Sequence, residues 1–137
     1  MIRGTVANHE GTVRLSVFGR ADQRDPIEAV VDTGYDGWLS LPQSMIHDLE
    51  LPWINFGRAA LADGSECGFD IYAGEVLWDR RRIHIQIDAS ETTPLLGMQL
   101  LEGFELTMQV RQGGPVTISR MKVPKKMNPP KKKTRRR

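Results

Sequence analysis

One acidic residue lies where a carboxyl group can do chemistry. Asp32 follows the apolar pair Val30-Val31 and is itself followed by Thr33 and Gly34. A carboxylate at the end of an apolar strand is costly unless other groups satisfy it. Gly34 permits a tight turn or the close approach of another backbone, and the Thr33 hydroxyl can donate or accept a hydrogen bond. These residues predict a rigid loop that presents one carboxyl group at an interface.

Two later segments complete a recurring pattern. Residues 61–66 contain Asp63-Gly64, a dipeptide typical of a hairpin turn. Further along, Leu95-Leu96-Gly97 is an apolar pair followed directly by glycine. In order and spacing, over most of residues 1–121, the chain resembles the retropepsin-like aspartic proteases. It is most similar to their short bacterial and archaeal members, in which an aromatic residue such as Tyr35 often follows Asp-Thr-Gly.

The resemblance implies a set of site residues. In that family the apolar-apolar-Gly segment packs beneath the catalytic loop, and a hairpin, here residues 61–68, forms a flap above it. The catalytic residues implied are Asp32, Thr33 and Gly34. The substrate-binding residues implied are Asp36, Ala62, Asp63, Gly64, Ser65 and Leu96.

The chain has a single Asp-Thr-Gly, whereas the chemistry of this family needs two carboxyl groups. The resemblance therefore implies a homodimer in which Asp32 of each copy meets the other on a two-fold axis. The two carboxyls would share one proton: the ionised one activates water, and the protonated one donates to the scissile carbonyl. Thr33 would lock the two loops together. The expected function is an aspartic endopeptidase that cuts extended polypeptide segments.

One departure from the family pattern concerns the dimer. Many relatives carry an Arg directly after the apolar-apolar-Gly segment, paired with an acid two residues past Asp-Thr-Gly. Asp36 supplies that acid, but Met98 occupies the Arg position, so this ion pair cannot form. Asp36 then either contacts the substrate backbone or caps a turn. The alternative function is a catalytically silent, dimeric peptide-binding module on the same fold. A phosphohydrolase is disfavoured, because the second Asp that such enzymes use would fall at Gly34.

Short strands and frequent turns surround these segments. Pro42 is expected to begin a helix that runs to residue 50, and residues 95–101 are expected to hold a strand end and one helical turn. The pattern predicts an all-β barrel or sandwich. The resemblance narrows this to a small closed β-barrel with one or two short helices. The predicted strands are residues 13–17, 27–31, 38–41, 56–61, 69–78, 83–87, 104–110 and 116–121.

The charges divide the chain into two parts. Nine basic and all 17 acidic residues precede Arg120, a balance of −8, while ten basic and no acidic residues lie from Arg120 onward. Residues 1–121 are expected to form one domain, and residues 122–137 a disordered basic tail. The tail could contact nucleic acid weakly through phosphates, or merely solubilise the chain. It has no aromatic residue on which bases could stack.

The remaining features are expected to exclude several classes of protein. Cys67 is the only cysteine, so no internal disulfide can form, and the three histidines share no metal-ligand spacing. Neither metal nor cofactor is expected. The N-terminal sequence lacks the apolar core of a signal peptide, and no run approaches the roughly 20 apolar residues that span a bilayer. The expected location is cytoplasmic, without membrane association.

Overall fold

The computed structural model describes residues 1–122, and these form ten strands and two short helices. The all-β class, with two short helices, is confirmed. The strands are β1 Ile2–Ala7, β2 Glu10–Phe18, β3 Arg24–Val31, β4 Leu39–Leu41, β5 Trp53–Ala60, β6 Glu66–Trp78, β7 Arg81–Ala89, β8 Leu95–Leu96, β9 Phe104–Met108 and β10 Pro115–Arg120. The helices are α1 Gln43–Asp48 and α2 Met98–Leu101. Apart from Lys122, the predicted basic tail lies outside the described residues.

All ten strands join one sheet, in the order β5-β6-β7-β4-β8-β3-β2-β1-β10-β9. An additional pairing of β2 with β6 connects the sheet back to itself, so six strands form a ring of pairings. Strand alternation explains the core. In β2, Val13, Leu15 and Val17 are buried, whereas the residues between them are more exposed. The buried apolar side chains of these strands belong to one core, to which β1, β10 and both helices also contribute.

Helix α1 is shorter than the sequence predicts, the strand end and helical turn expected within residues 95–101 are present as β8 and α2, and one strand was missed. Pro42 is extended and serves as the N-cap of α1, which buries Ile46 and stops at Leu49. Strand β1 was not predicted, because Arg3, Gly4 and Thr5 interrupt any apolar alternation. It is held by pairing with both β2 and β10, and it places Val6 in the core with Ile2 packed against it.

The arrangement of β3, β8 and β4 positions the candidate site. Strand β8 lies between β3 and β4, parallel to β3 and antiparallel to β4. The connection from β3 to β4, residues 32–38, must therefore cross the end of β8 at Leu96-Gly97. We call these residues the Asp32 loop. Neither described helix is long and apolar enough to cross a membrane.

Candidate active site

Backbone hydrogen bonds, one of them to the distant strand β8, fix Asp32 at the start of the Asp32 loop. Its N–H donates to the Leu96 carbonyl at 3.0 Å, and its carbonyl accepts from the Tyr35 N–H at 3.1 Å. The Gly34 N–H donates to Asp32 Oδ1 at 2.9 Å. Asp32 is half-buried, whereas Thr33 and Gly34 are exposed. The arrangement orients one carboxyl group and leaves the two following residues on the surface.

The structure shows why glycine occupies position 34. Gly34 does not adopt a positive φ, and within the described residues no other backbone approaches its Cβ position; the atom that lies close is a side-chain oxygen. A Cβ at this position would lie 3.3 Å from Asp32 Oδ1. The group that approaches is thus the carboxylate that the loop presents, and a larger residue would have to displace it.

The apolar-apolar-Gly segment packs beneath the Asp32 loop, as the resemblance implied. The N–H groups of Gly97, Met98 and Gln99 donate to loop carbonyls at 3.0, 2.8 and 3.0 Å; the acceptors are Trp38, Tyr35 and Gly37, respectively. A Cβ on Gly97 would collide with the Gly37 carbonyl oxygen. The side chain of Leu96 is fully buried, so in the single chain it supports the loop and is not accessible to a ligand.

A tyrosine and an aspartate connect the Asp32 loop to β7. The Tyr35 hydroxyl donates to Asp88 Oδ2 at 2.6 Å, and both residues are half-buried. Burial raises the pKa of Asp88, as does the charge of Asp36, while the Tyr35 hydrogen bond opposes the rise. Burial, followed by the bond to Asp88, raises the pKa of Tyr35 far above its ordinary value. Sequence reasoning missed Asp88; the one signal was an acid directly after the alternating run 83–87.

Asp36 and Met98 are both exposed at the edge of the loop. The Asp36 carbonyl accepts from Gln99 Nε2 at 3.1 Å, and within residues 1–122 its carboxylate forms no ion pair and caps no turn. Met98 is 47% exposed. Within residues 1–122 Asp36 thus has no ion-pair partner, and an exposed thioether occupies the position where many relatives carry Arg.

An apolar groove of about 460 Å³ begins at Thr33. One wall is α2, with the exposed side chain of Met98. The other is β9, which is an edge strand of the sheet, and from which Phe104 and Leu106 line the groove. The groove therefore lies directly beside the residue that follows Asp32.

The predicted hairpin is present and longer than expected. β5 pairs with the first part of β6, residues 66–72. The turn closes with the Leu61 N–H donating to the Ser65 carbonyl at 2.7 Å. Gly64 has φ +90°, which explains the glycine. Asp63 Oδ1 accepts from the Ser65 hydroxyl at 2.6 Å and from its N–H at 2.9 Å, and these bonds lower the pKa of Asp63. With Ala62, these residues form an exposed tip, residues 61–65.

The hairpin carries apolar side chains on both faces. Trp53 and Phe56 are 55% and 52% exposed, and the Trp53 indole donates to Asp70 at 2.9 Å on their face. Half-buried Phe69 and Ile71 lie on the other face. Exposed apolar area of this kind is typical of a surface that binds something.

The structure brings the predicted catalytic tripeptide together with Leu96 and Asp36, while the predicted flap residues lie on a separate arm of the same sheet. Within the described part of the chain, no group of three or more His, Cys, Asp or Glu side chains could hold a metal ion. Cys67 is an exposed free thiol on β6.

A scan against protein-family models and a search of curated proteins found no match to this chain.

Proposed function

We propose that the chain is an aspartic endopeptidase of the retropepsin-like type, with that family's closed barrel, and that it acts as a homodimer. The observation that carries the proposal is the contact between two distant segments: Asp32-Thr33-Gly34 lies on Leu95-Leu96-Gly97, with the Asp32 N–H donating to the Leu96 carbonyl at 3.0 Å. A carboxyl group fixed on such a rigid support suits acid–base chemistry.

The chemistry is hydrolysis of a peptide bond. One Asp32 carboxylate removes a proton from a water molecule, whose oxygen attacks the scissile carbonyl carbon. The protonated Asp32 of the second copy donates its proton to the carbonyl oxygen, giving a gem-diol. Collapse of this intermediate breaks the C–N bond. The leaving nitrogen takes up the proton held by the first Asp32, a gem-diol hydroxyl returns its proton to the ionised Asp32 of the second copy, and the products are one carboxyl and one amino terminus.

The second copy would cover the groove beside Thr33. If two Asp32 carboxyls are to share a proton, they must lie within hydrogen-bond distance, and the adjacent Thr33 must then be inside the contact. The groove lined by Met98, Phe104 and Leu106 is continuous with Thr33. Met98 would thus supply an apolar contact at the position where an ion pair braces many relatives.

The β5–β6 hairpin would act as the flap. Its tip is exposed, and its apolar side chains are available to an extended peptide. Such a peptide presents alternate side chains to opposite sides, so a two-stranded arm with apolar residues on both faces suits recognition of apolar residues in the substrate.

A specific observation also favours the second candidate, a silent peptide-binding module. Met98 stands where many relatives carry the Arg that braces the dimer, so the ion pair that would help to hold a second copy is missing. Without a second copy, the chain would retain the hairpin and the loop but lack the acid that completes the chemistry.

Cleavage of a diverse peptide library between about pH 4 and about pH 7 separates the two candidates. The wild type should cut, Asp32→Asn should lose at least about 1,000-fold in rate, and Asp48→Asn, the same change at an exposed acid at the end of α1, should remain active. If the wild type binds peptides without cutting, the module is favoured. If Asp32→Asn cuts equally well, the aspartic-protease assignment fails. Sedimentation completes the test, since a strict monomer with full activity would exclude the shared site.

A further inference from the structure

Tyr35 is held by more of the structure than its place in an exposed loop requires. Its N–H and carbonyl bond to Asp32 and to the Met98 N–H, at 3.1 and 2.8 Å. Its ring lies where a Cβ of Gly37 or Gly97 would be, with Tyr35 Cδ2 at 2.6 Å from the Gly97 position. The two glycines thus make room for this ring. The ring passes between them and brings the hydroxyl to Asp88.

Asp88 occupies a junction in the sheet. On one side it pairs with Ser40 of β4, the strand that follows the Asp32 loop. On the other side it pairs with Ile71 of β6, the strand that continues into the hairpin. Alternate residues of a strand share a face, so Phe69 and Ile71 lie on the same face of the sheet as Asp88. The Tyr35–Asp88 bond therefore connects the loop to the base of the hairpin.

We propose that Tyr35 and Asp88 are positioning residues, whose hydrogen bond fixes the Asp32 carboxyl relative to the β5–β6 hairpin. The inference rests on the proposed function, in which the peptide lies between these two parts. Displacement of a reacting group by about 1 Å can cost about 100-fold in rate, so one bond that fixes the loop to the hairpin base has a large kinetic effect.

The surroundings of Asp88 favour this bond. The ionisable groups that act on Asp88 are Tyr35 and Asp36, both from the loop, whereas its strand partners Ser40 and Ile71 carry no charge. A half-buried carboxylate beside another acid needs a donor, and within residues 1–122 the Tyr35 hydroxyl is the donor that it has. The bond is therefore strongly specified, and its loss cannot be compensated by an adjacent cation.

The test compares the two tyrosines of the chain. Tyr35→Phe removes the hydroxyl and keeps the ring that Gly37 and Gly97 accommodate. Tyr72→Phe is the matched control. Tyr72 lies on β6, and its hydroxyl accepts a hydrogen bond from Gln43 of α1 at 3.1 Å rather than bonding to the Asp32 loop. On a peptide that the wild type cleaves, Tyr35→Phe should lower kcat about 10- to 100-fold with KM within about twofold, and Tyr72→Phe should change neither by more than about twofold.

Variants of Asp88 give a rescue test. Asp88→Asn keeps an oxygen that can accept from Tyr35 and should retain most of the activity, whereas Asp88→Leu should match the loss of Tyr35→Phe. Equal losses in Asp88→Asn and Asp88→Leu would mean that packing, not the hydrogen bond, matters, and this would overturn the proposal.

Amide hydrogen exchange separates failure of this proposal from failure of the proposed function. Tyr35→Phe should speed exchange at Gly34 and Met98 about fivefold, the factor expected for one hydrogen bond, and leave Thr117 in β10 unchanged. If the wild type cuts no peptide, the protease proposal fails, and faster exchange at those amides still supports the positioning pair. If exchange or kcat in Tyr35→Phe equals that of Tyr72→Phe, the positioning pair is wrong, whatever the wild type does.

Discussion

The Asp32 loop and the tip of the β5–β6 hairpin are both surface turns that contain Asp and Gly, and they are held in opposite ways. The loop is held from outside: three successive N–H groups, from residues 97–99, donate into it, and Tyr35 bonds to Asp88. The tip is held from within, by bonds between Leu61 and Ser65 and between Ser65 and Asp63. One turn is integrated into the core; the other depends on its own hydrogen bonds.

The difference suits the two roles proposed above. A carboxyl group that moves protons gains from a fixed position, whereas a flap must open and close over its substrate. Local stability follows the same division, because segments with few buried contacts open at low cost in free energy. Substitutions of the same type in the two regions should therefore have unequal effects on stability.

Glycine-to-alanine substitutions should show the largest difference. In Gly97→Ala the new Cβ meets the Gly37 carbonyl, which is backbone and cannot move without moving the loop. The expected loss is about 3 kcal/mol in the free energy of unfolding, together with loss of peptide cleavage. In Gly57→Ala the Cβ meets only the ends of Phe69 and Ile71 at 2.8 and 2.9 Å, so the change should stay within about 1 kcal/mol. Urea unfolding measures both.

Equal effects of these two changes would contradict the comparison. A small loss in Gly97→Ala would mean that the loop yields as easily as the hairpin. A large loss in Gly57→Ala would mean that the hairpin is packed as firmly as the loop.

The next effect concerns self-association. Met98→Glu places a charge in the apolar groove that a second copy would cover, and it should weaken the dimer about 30-fold or more, equivalent to about 2 kcal/mol. Met98→Leu, which conserves volume and apolar character, should leave it unchanged. Sedimentation over a concentration series measures both. If Met98→Glu associates as the wild type does, the dimer uses another surface.

The local features of the fold around the site could be predicted from sequence, because chain order and residue type determine them. The apolar run before Asp32, the Asp63-Gly64 turn and the alternation of residues 83–87 each reflect a short-range rule. The packing of Leu95-Leu96-Gly97 under the loop came from the resemblance alone. No periodicity indicates that a two-residue strand inserts between β3 and β4.

What the sequence could not reveal depends on register. Asp88 becomes a partner of Tyr35 only because β7 pairs with β4 at Ser40, and a shift of one residue would turn it to the other face. Strand β1 was missed because Gly4 takes an inward position between Ile2 and Val6, which leaves too few apolar residues to show the alternation that its burial has. The apolar character of both hairpin faces also contradicts the one-buried-face rule that sequence patterns assume.

A smaller effect is expected at the tip of the β5–β6 hairpin. Leu61 is 50% exposed, so Leu61→Ser should change the free energy of unfolding by no more than about 0.5 kcal/mol. It should raise KM about three- to tenfold with kcat unchanged, because it removes an apolar contact with the peptide worth about 1 kcal/mol. Val110→Ser, at a residue that is 70% exposed beyond β9, is the control and should leave KM unchanged. A rise of KM in the control alone would place the peptide elsewhere.

The smallest expected effect concerns the pKa values of two acids, Asp63 in the hairpin tip and Asp88 bonded to the Asp32 loop. Hydrogen bonds from Ser65 lower the pKa of Asp63. The stability that these bonds give the tip is therefore fully present above the unfolded pKa and is lost as pH falls through the folded pKa. Burial raises the pKa of Asp88, so its ionisation opposes folding, and stability from this group falls as pH rises between the unfolded and folded values. Carboxyl titration by NMR should show Asp63 below and Asp88 above the ordinary aspartate value, and Ser65→Ala should move Asp63 upward while leaving Asp88 in place. A shift of both acids in Ser65→Ala would mean that tip and loop are coupled, and the division between a fixed loop and a self-contained tip would fail.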